Sequence, residues 1–518
     1  MKIVDNTALL VTTRKYQAIK DLIPKSEILE THGDLGRVLV YWGHNETKIL
    51  KNLQLKNVPS PILRNYDWPG FYTPFAHQRE TSSFLAMNKR CFCFNEQGTG
   101  KTSSAIWASD YLMNKKQIKK ALVICPLSIM QSAWQTDILK TAMHRKVGIA
   151  YGKPEVRADV IKGDYDYVII NYDGVEIVKD AIEEANFDLI IVDEANAYKN
   201  PSTRRWKVLA SILDTQTHLW MMTGTPASQS PVDAYGLAKL VSPERVPRFK
   251  GAWQEKVMLK ITQFKWINKP DAQDKVFEAL QPAIRFTKKE CLDLPPLITQ
   301  TRNVPLTPQQ AKYYRALKRQ MLIQAAGEEV TAVNAAANLN KLLQISGGAV
   351  YADSGDIIEF DIKPRSKELL EIINQTSNKL IVFVPYRHTI EQVNNFLINN
   401  KVSTSVIHGN VSAGKRATIF KRFQEEKDPR VLVIQPQAAS HGVTLTEADT
   451  VVFWSPVMSV ETYLQCVARI DRYGQKNNMT CIHLEGSEVE KRMYTLLNSK
   501  VTSHNKLVEL YKAEIGVQ

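Results

Sequence analysis

Short apolar runs rich in valine and isoleucine recur between Ala121 and Glu194: ALVIC at 121–125, YVII at 167–170 and DLIIVDE at 188–194. Runs of this length, separated by segments of helical spacing, predict strands of a parallel sheet. A second series follows the same grammar, with LIVFV at 380–384, TSVIHG at 404–409, RVLVIQ at 430–435, TVVFW at 450–454 and TCIHL at 480–484. The chain is therefore α/β, with two parallel sheets in succession. From 243 to 298 the alternation breaks into scattered aromatics, prolines and lysines, which predicts a helical, basic connector. No wedge-like hairpin is legible in it. The first seventy residues carry TALLVTT, GRVLVYW and NETKILKNL, enough for a small α/β accessory domain. The expected division is 1–70, 71–242, 243–298 and 299–518.

Composition narrows the class. At roughly 150 residues per domain, 518 residues make about three or four domains, and 44% hydrophobic residues suffice for several cores. No run of about 18 apolar residues occurs, so no membrane partner is expected. Lys and Arg number 67 against 53 Asp and Glu, a net charge of +14 that suits a polyphosphate partner. Six cysteines lack paired C-x-x-C spacing, which argues against zinc and disulfide scaffolds and predicts reduced, mostly buried thiols. The amino terminus, with Asp5 early and Arg14 after a short apolar patch, fits neither a signal nor a transit peptide, so a cytoplasmic protein is expected.

The run CFCFNEQGTGKTSSAIW reads as strand, glycine loop and helix. Gly98 and Gly100 free backbone N–H groups, with Gln97 and Thr99 between and beside them, to turn toward a polyphosphate. Lys101 reaches the β and γ phosphates and Thr102 can ligate Mg2+. Ala413-Gly414-Lys415-Arg416 lacks the following hydroxyl and is expected to be a surface turn. Asp193 and Glu194 close the strand DLIIV and project from the carboxyl edge of its sheet. One acid can hold the magnesium shell and the other orient or deprotonate water, so ATP and Mg2+ are the expected cofactors.

With these blocks in place, the chain from about Thr73 to Lys500 resembles superfamily two helicases and translocases, and within them the Swi/Snf-like double-stranded DNA translocases. The resemblance implies two tandem RecA-like domains. NEQGTGKT resembles motif I, DEANAYKN the DEAH box with Asn196 in place of histidine, and MTGTPASQSPVDAYGL motif III with Gln229 in place of asparagine. By that resemblance Gln78 reads the adenine edge, Thr223, Gly224 and Thr225 couple nucleotide to movement, and Pro126, Leu127, Ser128 and Trp134 lie along the DNA-tracking edge. RFTKKECLDLPPLITQTRNVPLTPQQAKYY looks like the Swi/Snf-type entry to the second motor domain. ASHGVTLTEADTVVFW resembles motif V, with Gly442 at the nucleotide, and QCVARIDRYGQK resembles motif VI with Gln465. Arg469 and Arg472, three residues apart, should share a helix face. They look like arginine fingers.

If Lys101, Asp193 and Glu194 belong to one domain and the arginines to the other, ATP closes the two and hydrolysis reopens them, which describes a motor. Its grips on nucleic acid should be loops after strands: Ser128, Asn171 and Tyr172 on the first domain, and Tyr386, Arg387, Gly409, Asn410 and Gln437 on the second. The resemblance implies a monomeric translocase on double-stranded or branched DNA, of compact bacterial or bacteriophage type, working in the host cytoplasm if phage-encoded. Fork or junction branch migration, annealing or protein displacement are the expected outcomes, in replication, recombination or repair. Two readings stay open beside it: a strand-separating DNA or RNA helicase, and a remodeller of a nucleic-acid-bound protein such as RNA polymerase.

Overall fold

The computed structural model describes residues 1–499, apart from 225, 227–229, 263–265, 326–331, 352–355 and 440–442. Seven parallel strands form the first sheet, in the order Ala283–Ile284, Arg90–Cys93, His218–Met222, Leu189–Asp193, Ala121–Cys125, Tyr167–Asn171, Val147–Ala150. Successive strand residues face opposite sides, so one strand feeds two cores. Ile124, Val192 and Met221 pack on one face, while Val123, Ile191 and Trp220 pack on the other. Burial on both faces is why these strands read as unbroken apolar runs.

Six parallel strands form the second sheet, ordered Leu297–Asn303, Met479–Glu485, Ala448–Phe453, Lys379–Phe383, Val431–Ile434, Thr404–Ile407. Its two faces likewise bury separate clusters, around Phe453 and Leu432 on one side and around Trp454 and Val433 on the other. The helix Glu488–Asn498, the last among the described residues, is fastened beneath the sheet by Glu490, which accepts from both terminal nitrogens of buried Arg365 at 2.8 and 2.9 Å.

The connector is less purely helical than its sequence suggests. Helices Lys250–Val257 and Ala272–Ala279 flank a two-stranded antiparallel hairpin, Met258–Lys260 with Trp266–Asn268, which the sequence reading missed. Beyond it, Ala283–Ile284 completes the edge of the first sheet and Leu297–Asn303 the edge of the second. The turn expected at Ala413-Gly414-Lys415-Arg416 is instead the start of helix Ala413–Glu425, because Ser412 stands at its cap and accepts from the Lys415 N–H.

At the amino terminus, four antiparallel strands run in the order Lys2–Val4, Ala8–Thr13, Leu35–Tyr41, Glu27–His32. Helices Tyr16–Leu22 and His44–Asn52 close its small core of Leu9, Val11, Ile19, Val38, Val40 and Leu50. All six cysteines are free thiols, five of them buried and Cys291 partly so. Among the described residues no helix is long and apolar enough to cross a membrane.

Candidate nucleotide site and nucleic-acid edge

The strand Arg90–Cys93 runs into the glycine loop and helix Lys101–Asn114 leaves it. Gly98 and Gly100 have φ of +85° and +82°, which L side chains rarely adopt, so the loop's curl depends on glycine at both. Lys101 folds its ammonium back across the loop, donating to the carbonyls of Asn95 at 2.8 Å and Glu96 at 3.3 Å. Gln78, on helix Ala76–Met87, donates its amide to Thr99 O at 3.3 Å and lies 1.9 Å from where a Cβ on Gly100 would stand. His77 engages the same Thr99 carbonyl at 2.8 Å. Both side chains thus brace the loop.

Asp193 ends its strand fully inside the sheet edge. Its Oδ2 accepts the indole N–H of Trp134 at 2.9 Å and its Oδ1 accepts the Glu194 N–H at 3.0 Å. Burial raises the Asp193 carboxyl above its ordinary range, an effect that Lys101 opposes. Burial first, and Asp193 second, push Glu194 up to about 8. Glu194 itself turns through a φ of +48°, and its Oε2 is buried with no hydrogen-bond partner. Such an atom suits an absent water or ion. Among the described residues no three His, Cys, Asp or Glu side chains cluster to cage a metal. Magnesium needs no such cage, since it keeps waters and phosphate oxygens and borrows one or two protein ligands. Asp193, with the Thr102 hydroxyl, fits that role.

Trp134 and Tyr172 are where the structure departs most from the sequence reading. Trp134, expected along the DNA edge, is completely buried on the π-helical turn Met130–Gln135, because its large ring fills the core and its one donor finds Asp193. Tyr172, expected to grip DNA, donates its hydroxyl to Asp193 O at 2.7 Å and packs edge-on against Tyr198. Both aromatics therefore hold the acidic pair in place.

On the second domain, Arg469 and Arg472 do not share a helix face. Helix Val460–Val467 ends before them, and both lie in the turn that follows. They converge all the same, since Nη1 of each donates to Val443 O, at 2.9 and 3.1 Å. Arg469 also donates to Gln465 O at 2.7 Å, and Arg472 to the Thr444 hydroxyl at 2.9 Å. Burial, then Arg472, lower Arg469 to about 9, the signature of cations held without a full complement of anions. Gln465 is buried in the helix just before the turn.

The two halves meet at the loop. A Cβ on Gly98 would lie 3.0 Å from Arg472 Cβ and 3.5 Å from Asp471 O, so the arginine turn sits directly on the glycine loop. Lys288 spans the junction: its N–H donates to Glu96 Oε2 at 3.0 Å, and its ammonium pairs with Asp471 Oδ2 at 2.6 Å. Asn196, standing where the resemblance expects histidine, donates across to Glu461 Oε1 at 3.1 Å. Phe75 and Tyr473 pack edge-to-face with centroids 4.8 Å apart. Thr223 is buried, its N–H on Cys93 O at 3.0 Å, and Gly224 leaves room for Gln97, whose Cγ would be 3.3 Å from an added Cβ. Thr225 and Gly442 lie outside the described residues.

The proposed grips are unequally placed. Arg387, Gly409, Asn410 and Gln437 are exposed at the ends of second-domain strands, and Ser128 is half-buried on the short turn Leu127–Ile129. Tyr386 instead donates its hydroxyl to Asn340 Oδ1 at 2.9 Å, and Asn171 accepts from Arg157 at 2.9 Å. These two are engaged within the protein.

A family model described as the SNF2-related domain matches residues 52–347, and one described as the helicase conserved C-terminal domain matches 364–474. The chain belongs to the SNF2-related family. This SNF2-related chain is an ATP hydrolase of the helicase and translocase class. It is 26% identical over 424 residues to protein p41 of Acyrthosiphon pisum secondary endosymbiont phage 1, covering 77% of this chain and 88% of that one. It is 24% identical over 438 residues to the human DNA annealing helicase and endonuclease ZRANB3, covering 80% of this chain but only 38% of that protein. Among solved structures, the Sulfolobus solfataricus SWI2/SNF2 ATPase core in complex with dsDNA matches at 21% identity and a TM-score of 0.42, covering 83% of this chain and 92% of that one.

Proposed function

We propose that this SNF2-related ATPase is a translocase that runs on double-stranded DNA and remodels branched DNA, as a monomer. The observation that carries the reading is the seating of Arg472 against Gly98, which brings the arginine turn of the second domain onto the glycine loop of the first. ATP bound there supplies a γ-phosphoryl whose loss is assisted by positive charge from both sides. Lys101 would leave its own loop carbonyls to meet the phosphates, and the magnesium would lie on Thr102 and Asp193. Glu194 would hold the attacking water and, in its ionised form, accept a proton from it. Arg469 and Arg472 would close from the other domain, a contribution worth about a thousandfold or more in turnover.

Because the arginines and the loop belong to different sheets, each round of closure and reopening changes the distance between grips on the two domains. Exposed Arg387, Asn410 and Gln437 on one side and Ser128 on the other suit phosphate contacts that carry no sequence information. The net charge of +14 favours a polyanionic track, and the kinship to a DNA annealing helicase favours branched substrates. Measuring turnover with linear duplex, forked duplex, single strands and no DNA, beside a triplex-displacement assay, tests this. Duplex-stimulated turnover with third-strand displacement is expected, and turnover indifferent to nucleic acid would remove the motor.

A further inference from the structure

The segment between the two sheets touches both the glycine loop and the arginine turn. Beyond strand Ala283–Ile284, the Phe286 N–H donates to Asn95 Oδ1 at 3.0 Å and Phe286 O accepts the Glu96 N–H at 2.9 Å. The Lys288 N–H then donates to Glu96 Oε2 at 3.0 Å. Between these residues Thr287 closes a capping box with Glu290, donating its N–H to Glu290 Oε2 at 2.8 Å and accepting the Glu290 N–H on its hydroxyl at 3.3 Å. Phe286 also packs edge-on against His77, which braces the same loop through Thr99 O. The backbone at 286–288 is thereby stitched to the opening of the glycine loop.

From this mount one side chain crosses to the second domain. The Lys288 ammonium donates to Asp471 O at 2.8 Å and pairs with Asp471 Oδ2 at 2.6 Å, the two side chains being 17% and 21% exposed. Asp471 O belongs to the peptide that leads into Arg472, and it lies 3.5 Å from where a Cβ on Gly98 would stand. Lys288 therefore holds the peptide plane from which the Arg472 side chain departs. The hydrogen bonds of Arg472 to Val443 O and the Thr444 hydroxyl stay inside its own domain, and they leave its distance from the loop unset. Burial lowers both the Lys288 ammonium and the Arg472 guanidinium, and Asp471 opposes that effect in each.

We infer that Lys288 is a positioning residue for ATP hydrolysis: fixed to the glycine loop by its main chain, it sets through Asp471 the point from which Arg472 reaches the nucleotide. Its own ammonium is engaged by Asp471, so it acts through the arginine and not on the phosphates. The inference rests on the placing of Arg472 at the nucleotide proposed above, and it adds the residue that holds the arginine in register with the loop. A group misplaced by about an ångström can lose about a hundredfold in rate. Nucleotide binding by the glycine loop would be untouched.

The test is ATP hydrolysis at saturating duplex DNA by the full chain carrying Lys288→Met, Arg472→Ala or both, with folding checked by circular dichroism. In Lys288→Met, which keeps the aliphatic stem and removes the ammonium, kcat should fall about a hundredfold with KM for ATP unchanged. Lys288→Arg, still able to reach Asp471, should keep most of the rate. Added to Arg472→Ala, Lys288→Met should cost nothing further, because the two residues act as one unit. Asp471→Ala removes the carboxylate from the other side; it should show the same split between kcat and KM, and it decides the matter should Lys288→Met fail to fold. An unaltered kcat, or a loss that multiplies with that of Arg472→Ala, would overturn the inference. A folded Arg472→Ala chain hydrolysing ATP at the unaltered rate would instead overturn the reading of Arg472 on which it rests.

Discussion

The indole N–H of Trp134 donates to Asp193 Oδ2 at 2.9 Å, joining a turn after one strand of the first sheet to the acidic end of its neighbour. A carboxylate that must ligate a cation keeps its aim only if its other oxygens are spoken for, and outer partners of this kind set affinity and activity. Trp134→Phe keeps the ring's packing and removes the donor. Turnover at saturating duplex should fall about 10–100-fold, with the magnesium requirement shifted to higher concentration and the unfolding transition little changed. Steady-state ATPase titrated with magnesium measures it, and unaltered magnesium dependence would deny Trp134 this role.

Glu194 makes stability depend on pH in a defined sense. Burial and Asp193 raise its carboxyl from 4.5 to about 8 in the fold, so the folded chain holds a proton that the unfolded chain releases. That contribution is complete below pH 4.5 and is lost as pH climbs toward 8. In the absence of nucleotide and magnesium, the urea midpoint should decline between pH 5.5 and pH 8, and Glu194→Gln should flatten that decline. Parallel pH profiles for the two proteins would refute it.

In the second domain, Glu490 is fully buried and takes hydrogen bonds from Arg365, the Gly486 and Ser487 N–H groups and the Ser487 hydroxyl. Glu490→Ala leaves the Arg365 cation buried with no counter-charge, which costs about 3–5 kcal/mol. Replacing both partners, as Arg365→Met/Glu490→Leu, should restore much of the loss. Urea unfolding of the three chains checks the ordering, and a double variant no better than Glu490→Ala would contradict it.

Much of this architecture was legible because parallel strands buried on both faces write themselves as solid apolar runs, and each run quoted from 121 to 484 contains a strand. The glycine loop was legible for a local reason, since its chemistry is packed into a few consecutive residues. The hairpin was not, because strands of three residues each give too little alternation to register as a period. Trp134 and Tyr172 were misplaced for a different reason. Sequence order assigns an aromatic to a loop at the sheet edge but does not say whether its ring turns outward to a ligand or inward to a neighbouring strand. Likewise the arginine pair was set on a helix by its i, i+3 spacing, whereas the helix stops at Val467 and a turn brings both guanidinium groups to Val443.

The split cleft is tested most directly by single-turnover hydrolysis in Arg472→Ala saturated with duplex DNA, with ATP binding measured in parallel. The account predicts a folded protein that binds ATP as before and hydrolyses it about a thousandfold or more slowly. A folded Arg472→Ala chain that turns over ATP at the unaltered rate would contradict it, because the second sheet would then contribute nothing to the chemistry at the glycine loop.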